Sequence, residues 1–210
     1  MENKPLSRNI LLFGEITTEK IESVMQRIIE VVDYDEYVDS TVKNYERQPI
    51  TLYICSGGGK VLPTIGLCEF MAYCRTPIST VCLGEACSAA FMVLIAGHCR
   101  FAVRGSSIMF HQMAGGAAGS VKNCKNHIEH MDRIESYMTE LIKERTEIPQ
   151  KMLDEIYASQ MDRYMSVEEA LEFGVIDYLY GGDEVELDAE IEESEEIDND
   201  ESDDENPCNT

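Results

Sequence analysis

Between Ile10 and Ala96 the chain alternates short, nearly all-apolar runs with stretches of helical periodicity, and this rhythm limits the folds open to it. The runs Ile10–Phe13, Thr51–Cys55 and Ile78–Leu83 read as strands, the first two closely followed by glycines. Between the first two, Ile21, Val24, Met25, Ile28, Ile29 and Val32 recur at three- and four-residue steps behind a cap at Thr17 or Thr18. That spacing predicts a helix with one buried face, followed by a polar connection from Asp33 to Gln48. Residues 61–74 and Ser88–Ala96 supply two more helices. Strand, helix, strand, helix with apolar strands argues for a parallel sheet buried between helices, the α/β class.

The pattern continues with strands at Arg100–Val103 and Ser107–Phe110, a glycine-rich loop from Ala114 to Gly119, and a long helix over about Val121–Arg145. Ile148-Pro149 interrupts that helix and starts another, and Ser166-Val-Glu-Glu169 is a capping box for a last short one, ended by Gly174. Asp162-Arg-Tyr reads as a polar loop, and Ile176–Tyr180 as a final strand. Residues 1–182 therefore form one domain. From Asp183 onward there are 15 acids and no bases, which leaves 25 acids against 17 bases, a net of −8, of the overall −23. Residues 183–210 are too acidic and too poor in apolar groups to order, so a disordered tail is expected; it solubilises the protein by repulsion, or it recruits a basic partner or repels acidic substrates.

No basic stripe with interleaved aromatics is present, which speaks against nucleic-acid binding. No apolar run reaches the roughly 18 residues of a membrane span. The N-terminus has neither a signal-peptide core nor transit-peptide character, so a cytoplasmic chain is expected. In a reducing compartment the eight cysteines, with no C-x-x-C among them, are free thiols, mostly in apolar stretches. No cofactor is called for. Cys124, His127 and His130 share one side of the long helix without a metal-binding spacing, so no metal is expected.

Three residues invite a chemical reading. Ser88, in Gly84-Glu-Ala-Cys-Ser88-Ala, follows a buried strand and opens an apolar helix; it is a nucleophile candidate, or simply the helix cap. His111 ends an apolar strand and can act as a base, with His98 competing for that role. Asp162 can orient the imidazole, or pair with Arg163 as a solvated carboxylate. Ser56-Gly-Gly-Gly59 is a tight turn or a backbone donor site; it is no phosphate loop, because Gly59-Lys60 lacks the following Ser or Thr.

Leu52-Tyr-Ile-Cys-Ser-Gly-Gly-Gly59, Gly84-Glu-Ala-Cys-Ser88-Ala, Met109-Phe-His111-Gln-Met-Ala-Gly-Gly116 and the run from Asp162-Arg-Tyr to Asp177 resemble, in order, the signature blocks of the Clp protease proteolytic subunit. The resemblance covers about residues 8–180. It implies an α/β fold of the Clp-peptidase and crotonase kind, with stacked ββα units and a projecting long helix. It also implies a serine endopeptidase with Ser88 as nucleophile, His111 as base and Asp162 as its orienter. The backbone N–H groups of Gly59 and Ala89 would form the oxyanion hole. Gly115, Gly116 and Ala117 would be the edge that binds a peptide substrate as an added strand. Implied partners are copies of the chain in a heptameric ring, one or two rings deep, and an AAA+ unfoldase ATPase.

The chain departs from the family pattern at several points. Cys55-Ser-Gly-Gly-Gly59 stands where Asn-Ser-Pro-Gly-Gly is usual, Ala89 where Met is, and Met113 where Pro is. Gln160-Met161 replaces an acid-arginine pair that couples rings, the segment before the first strand is short, and Asp35–Gln48 looks like an insertion. Two other classes remain open: a non-catalytic ring or scaffold subunit, and an acyl-CoA enzyme of the crotonase type, against which the serine-histidine-aspartate pattern speaks.

Overall fold

The computed structural model describes residues 7–181, and the expected acidic tail lies outside the described residues. In chain order the elements are β1 (Asn9–Phe13), α1 (Thr18–Thr41), β2 (Ile50–Ser56), α2 (Val61–Ala72), β3 (Ile78–Cys87), α3 (Ala89–Ile95), β4 (Cys99–Ala102) and β5 (Ser107–Phe110). They continue with α4 (Val121–Arg145), α5 (Gln150–Ser159), β6 (Arg163–Met165), α6 (Val167–Glu172) and β7 (Tyr178–Leu179). Strands β1, β2, β3, β4 and β7 lie side by side in that order, all parallel, and β5 joins β3 while pairing antiparallel with β6. The α/β class inferred from the alternation is the class observed.

One face of the sheet is dry. Leu12, Ile50, Leu52, Ile54 and Ile78 are buried together with Ile21, Val24, Ile28 and Val31 of α1 and the whole of α3. Burial on both faces, expected from the apolar strands, does not occur. The register aligns Leu11, Tyr53, Val81, Phe101 and Tyr178 in one row across five strands, and Leu11 and Tyr178 in that row are more than half exposed. Tyr180 stands edge-on to both Tyr53 and Phe101, so this second face is an aromatic surface.

Helix α1 starts where its cap predicts, with Thr17 accepting from the Lys20 N–H, but it runs to Thr41 instead of ending near Val32. The reason is Asp35. It occupies the next inward position after Ile21, Val24, Ile28 and Val31, and its side chain is fully buried. There it accepts from Arg8, from Tyr45 at 2.7 Å and from Thr76 at 2.8 Å, while Arg8 also reaches the Gln48 carbonyl. A carboxylate thus finishes the helix's inner stripe and ties the 42–48 connection to the strand layer. At the other side of the sheet Arg100 pairs with Asp177 and donates to the carbonyls of Arg145 and Gly174, joining β4 to the end of α4 and to the turn before β7.

Burial acts most strongly on the Asp35 carboxyl and would raise its pKa. The hydrogen bonds from Arg8, Tyr45 and Thr76, with the Arg8 charge, outweigh it and hold the pKa below its ordinary value. A depressed acid contributes stability that is full above the unfolded pKa of about 3.9 and is lost as pH falls through the folded value. Asp35→Ala leaves Arg8 without its buried partner and is expected to cost about 3 kcal/mol near neutral pH. Denaturant unfolding checks this. The difference from the wild type should shrink below about pH 4, and equal stability at pH 7 would contradict the network's role.

Candidate active site

The site starts from a bend in β3. Cys82 faces Ile54 of β2, but the next pairing is Ala86 with Ser56, so β3 carries extra residues at Leu83-Gly84, where Gly84 has φ +109°. Before the bend β3 pairs with β4; after it, Glu85, Ala86 and Cys87 pair with Ser107, Ile108 and Met109 of β5. The strand expected to stop at Leu83 therefore continues to Cys87, because a second partner takes over its hydrogen bonds.

Ser88 follows directly, with φ 55° and ψ −119°, a backbone conformation that costs a non-glycine residue about 1–3 kcal/mol. Three contacts hold it there: its N–H donates to the Met109 carbonyl at 2.9 Å, and its carbonyl accepts from Phe91 and Met92 of α3. Although Ser88 stands at the cap position of α3, its hydroxyl caps nothing. It lies 2.8 Å from Nε2 of His111. The plain helix-cap explanation of Ser88 is thus excluded.

β5 positions both ends of that bond, since Met109 holds the Ser88 backbone and His111 directly follows the strand's last residue. Phe91 of α3 stacks on Phe110 at 5.4 Å, locking helix to strand. His98 is placed elsewhere. Its Nδ1 accepts the Ile78 N–H at the far end of the ten-residue β3, a structural bond that removes it from competition.

Asp162 lies in a loop as expected, but Arg163 and Tyr164, expected in the same loop, open β6. The antiparallel pairs Phe110–Arg163, Met109–Tyr164 and Ile108–Met165 make His111 and Asp162 the next opposed positions. The Asp162 carboxylate faces Nδ1 of His111 at 3.8 Å, an ion-pair distance about 1 Å too long for a hydrogen bond. It is half exposed, and Arg163 pairs with Glu169 rather than with it. Gln160 and the exposed Met161 precede it at the left-handed end of α5.

The Ser56–Gly59 turn closes the other side. Gly58 has φ +100°, and a Cβ there would lie 2.8 Å from the Cys87 carbonyl and 2.9 Å from Ser88 Cβ. Gly59, at φ +152°, is pinned against Ile16 by hydrogen bonds from Ile16 N–H to the Gly58 carbonyl and from Lys60 N–H to the Ile16 carbonyl. Gly59 and Ser88 line one cavity of about 170 Å³, walled by Val61, Phe91, Met92, Phe110, Met113 and Met138. Ala89 opens α3, where an N–H has no acceptor within the helix, and this amide sits against Gly58. Gly59 thus shares a cavity with Ser88, and Ala89 follows Ser88 directly in the chain. Gly58, the glycine in closest contact, was missed although the triple-glycine run signals it. The cavity walls were missed because apolar residues in helices and strands look like any core.

Gly115, Gly116 and Ala117 lie exposed in the segment joining β5 to α4. The neighbouring thiol of Cys87 is buried, and burial first, then the charges of Glu85 and Asp162, raise its pKa, so it does not supply a thiolate beside Ser88. Cys124, His127 and His130 belong to no group of three possible ligands among the described residues. A serine hydroxyl within hydrogen-bond reach of an imidazole, at the edge of a cavity walled largely by apolar side chains, suits nucleophilic attack on a carbonyl.

Gly58→Ala tests how much this depends on close approach. The methyl group must displace Ser88 by several tenths of an ångström, and a fluorophosphonate probe should label Ser88 about 100-fold more slowly, with the circular dichroism spectrum retained. Labelling at the wild-type rate would refute the tight packing of the turn.

A family model described as Clp protease matches residues 5–182.

Proposed function

Because the chain belongs to the Clp protease family, whose members are peptidases, we propose that it is a serine endopeptidase subunit with Ser88, His111 and Asp162 as its catalytic residues. The hydrogen bond between Ser88 Oγ and His111 Nε2 carries this reading. In the productive tautomer the hydroxyl donates to Nε2, and the Nδ1 proton points at Asp162. Oγ attacks the peptide carbonyl as its proton passes to His111. The negative oxygen is met by the N–H groups of Ala89 and Gly59, each such donor being worth about 3 to 4 kcal/mol of barrier. His111 then protonates the leaving amine, and water repeats the cycle on the acyl-enzyme.

The cavity walled by Phe91, Met92, Phe110 and Met138 takes the side chain that precedes the scissile bond, so substrates with an apolar residue there are favoured. The main chain of the substrate runs along Gly115, Gly116 and Ala117, whose exposure suits strand addition and places little demand on other side chains.

Members of the family generally form oligomeric rings with ATPase partners. For this chain a heptameric ring, single or double, fed by an AAA+ unfoldase in the cytoplasm, follows as a proposal. The exposed side chains at the ends of the row across the sheet, Leu11 and Tyr178, supply apolar surface that such a partner can cover. One observation favours the second reading, a non-catalytic ring subunit: the open contact between Asp162 and His111.

The two readings separate in one experiment. The purified assembly should react with a fluorophosphonate at Ser88 and hydrolyse a fluorogenic peptide with Leu or Met before the cleaved bond. Ser88→Ala should abolish labelling and lower turnover at least about 10⁴-fold. Asp162→Asn should cost less than Ser88→Ala, in keeping with its exposed, unclosed contact. Labelling that persists in Ser88→Ala, or no turnover by the assembled wild type, would overturn the peptidase reading.

A further inference from the structure

The inner face of α4 meets the segment after His111 at three successive positions. Met131 occupies the space beside Gly115 that a Cβ would need, Glu135 binds the segment's polar groups, and Met138 forms part of the cavity wall. The spacing of four and three residues puts all of them on one stripe. The middle contact is the specific one. One carboxylate oxygen of Glu135 accepts the Met113 backbone N–H at 3.1 Å, and the other accepts from the Gln112 side-chain amide at 3.2 Å. One turn later, Thr139 lies 2.6 Å from the Tyr157 hydroxyl, and the Tyr157 ring stands edge-on to Phe110.

His111 is therefore held from both sides along the chain. Before it, Phe110 is paired with Arg163 of β6; after it, the first polar tie is the carboxylate of Glu135. We propose that Glu135 is a positioning residue for the peptidase reaction. It acts through the 111–113 backbone to keep Nε2 on Ser88 and Met113 against the cavity, and so couples the projecting helix to the site. The proposal rests on the peptidase reading above. The contact is particular to this chain in one respect: a proline after His-Gln would have no N–H to give.

The expected sizes follow from the chemistry. A charge-assisted hydrogen bond lost at a site where about 1 Å of misplacement costs 10²-fold predicts that Glu135→Ala lowers kcat/KM for the Leu or Met peptide about tenfold, chiefly through kcat. Glu135→Gln keeps an acceptor oxygen for the Met113 N–H and should recover activity to within about threefold of the wild type. In the Met113→Pro background the N–H is absent, so adding Glu135→Ala should cost about twofold or less.

Amide exchange supplies a readout that needs no turnover: the Met113 N–H should be protected in the wild-type assembly and exchange faster in Glu135→Ala. Unchanged exchange would overturn the contact itself. Faster exchange with unaltered kcat/KM, or a Glu135→Gln variant no better than the alanine, would overturn its positioning role. A wild type that fails to label at Ser88 fails the peptidase reading instead, and the exchange result still decides whether Glu135 holds the segment.

Discussion

The pairing of β5 on both of its edges is the constraint from which the site follows. On one edge Ser107–Met109 run parallel to the bent end of β3, and on the other Ile108–Phe110 run antiparallel to β6. The first pairing brings Met109 to the Ser88 N–H and sets the residue at a positive φ. The second counts residues so that Asp162 arrives opposite His111. A slip of one residue in either ladder would turn the side chains to the wrong face and dissolve the constellation, since alternate strand residues point to opposite sides. Four residues of β5 thus impose the geometry on groups that lie 23 and 51 positions from His111 in the chain.

Much of this was legible in the residues. Apolar runs followed by glycine located β1 and β2, and the capping box at Ser166–Glu169 opened α6 as expected, with both reciprocal hydrogen bonds formed. Ser88 and His111 could be named as candidates because a serine after an apolar strand and a histidine ending one are visible in one dimension. What could not be read was pairing between elements distant in the chain. β6 is three residues long and polar at its start, so it carries no periodicity of its own; it exists because β5 offers an edge. The second half of β3 was hidden for the same reason.

Asp35 misled in the opposite direction. A carboxylate at an inward helix position reads as the end of the apolar stripe, whereas Arg8, Tyr45 and Thr76 make that position habitable. Those partners come from the residue before the first strand, from a connection and from the turn before β3. Periodicity weighs a residue by its own chemistry and has no access to what will surround it. Glu135 illustrates the same blindness at the site, for nothing in a charged helix distinguishes one glutamate from the next until the Met113 N–H is found against it.

The backbone of Ser88 gives the site an evolutionary asymmetry. At φ 55° and ψ −119° the position would be more at ease as glycine, so thermodynamic stability and the presence of the hydroxyl pull in opposite directions there. Selection for a sturdier chain alone would erode this residue before most others, and a subunit relieved of chemistry would be expected to relax here first. Under the proposed peptidase reading, the serine stands here because its oxygen is needed, at a backbone cost that glycine would not carry.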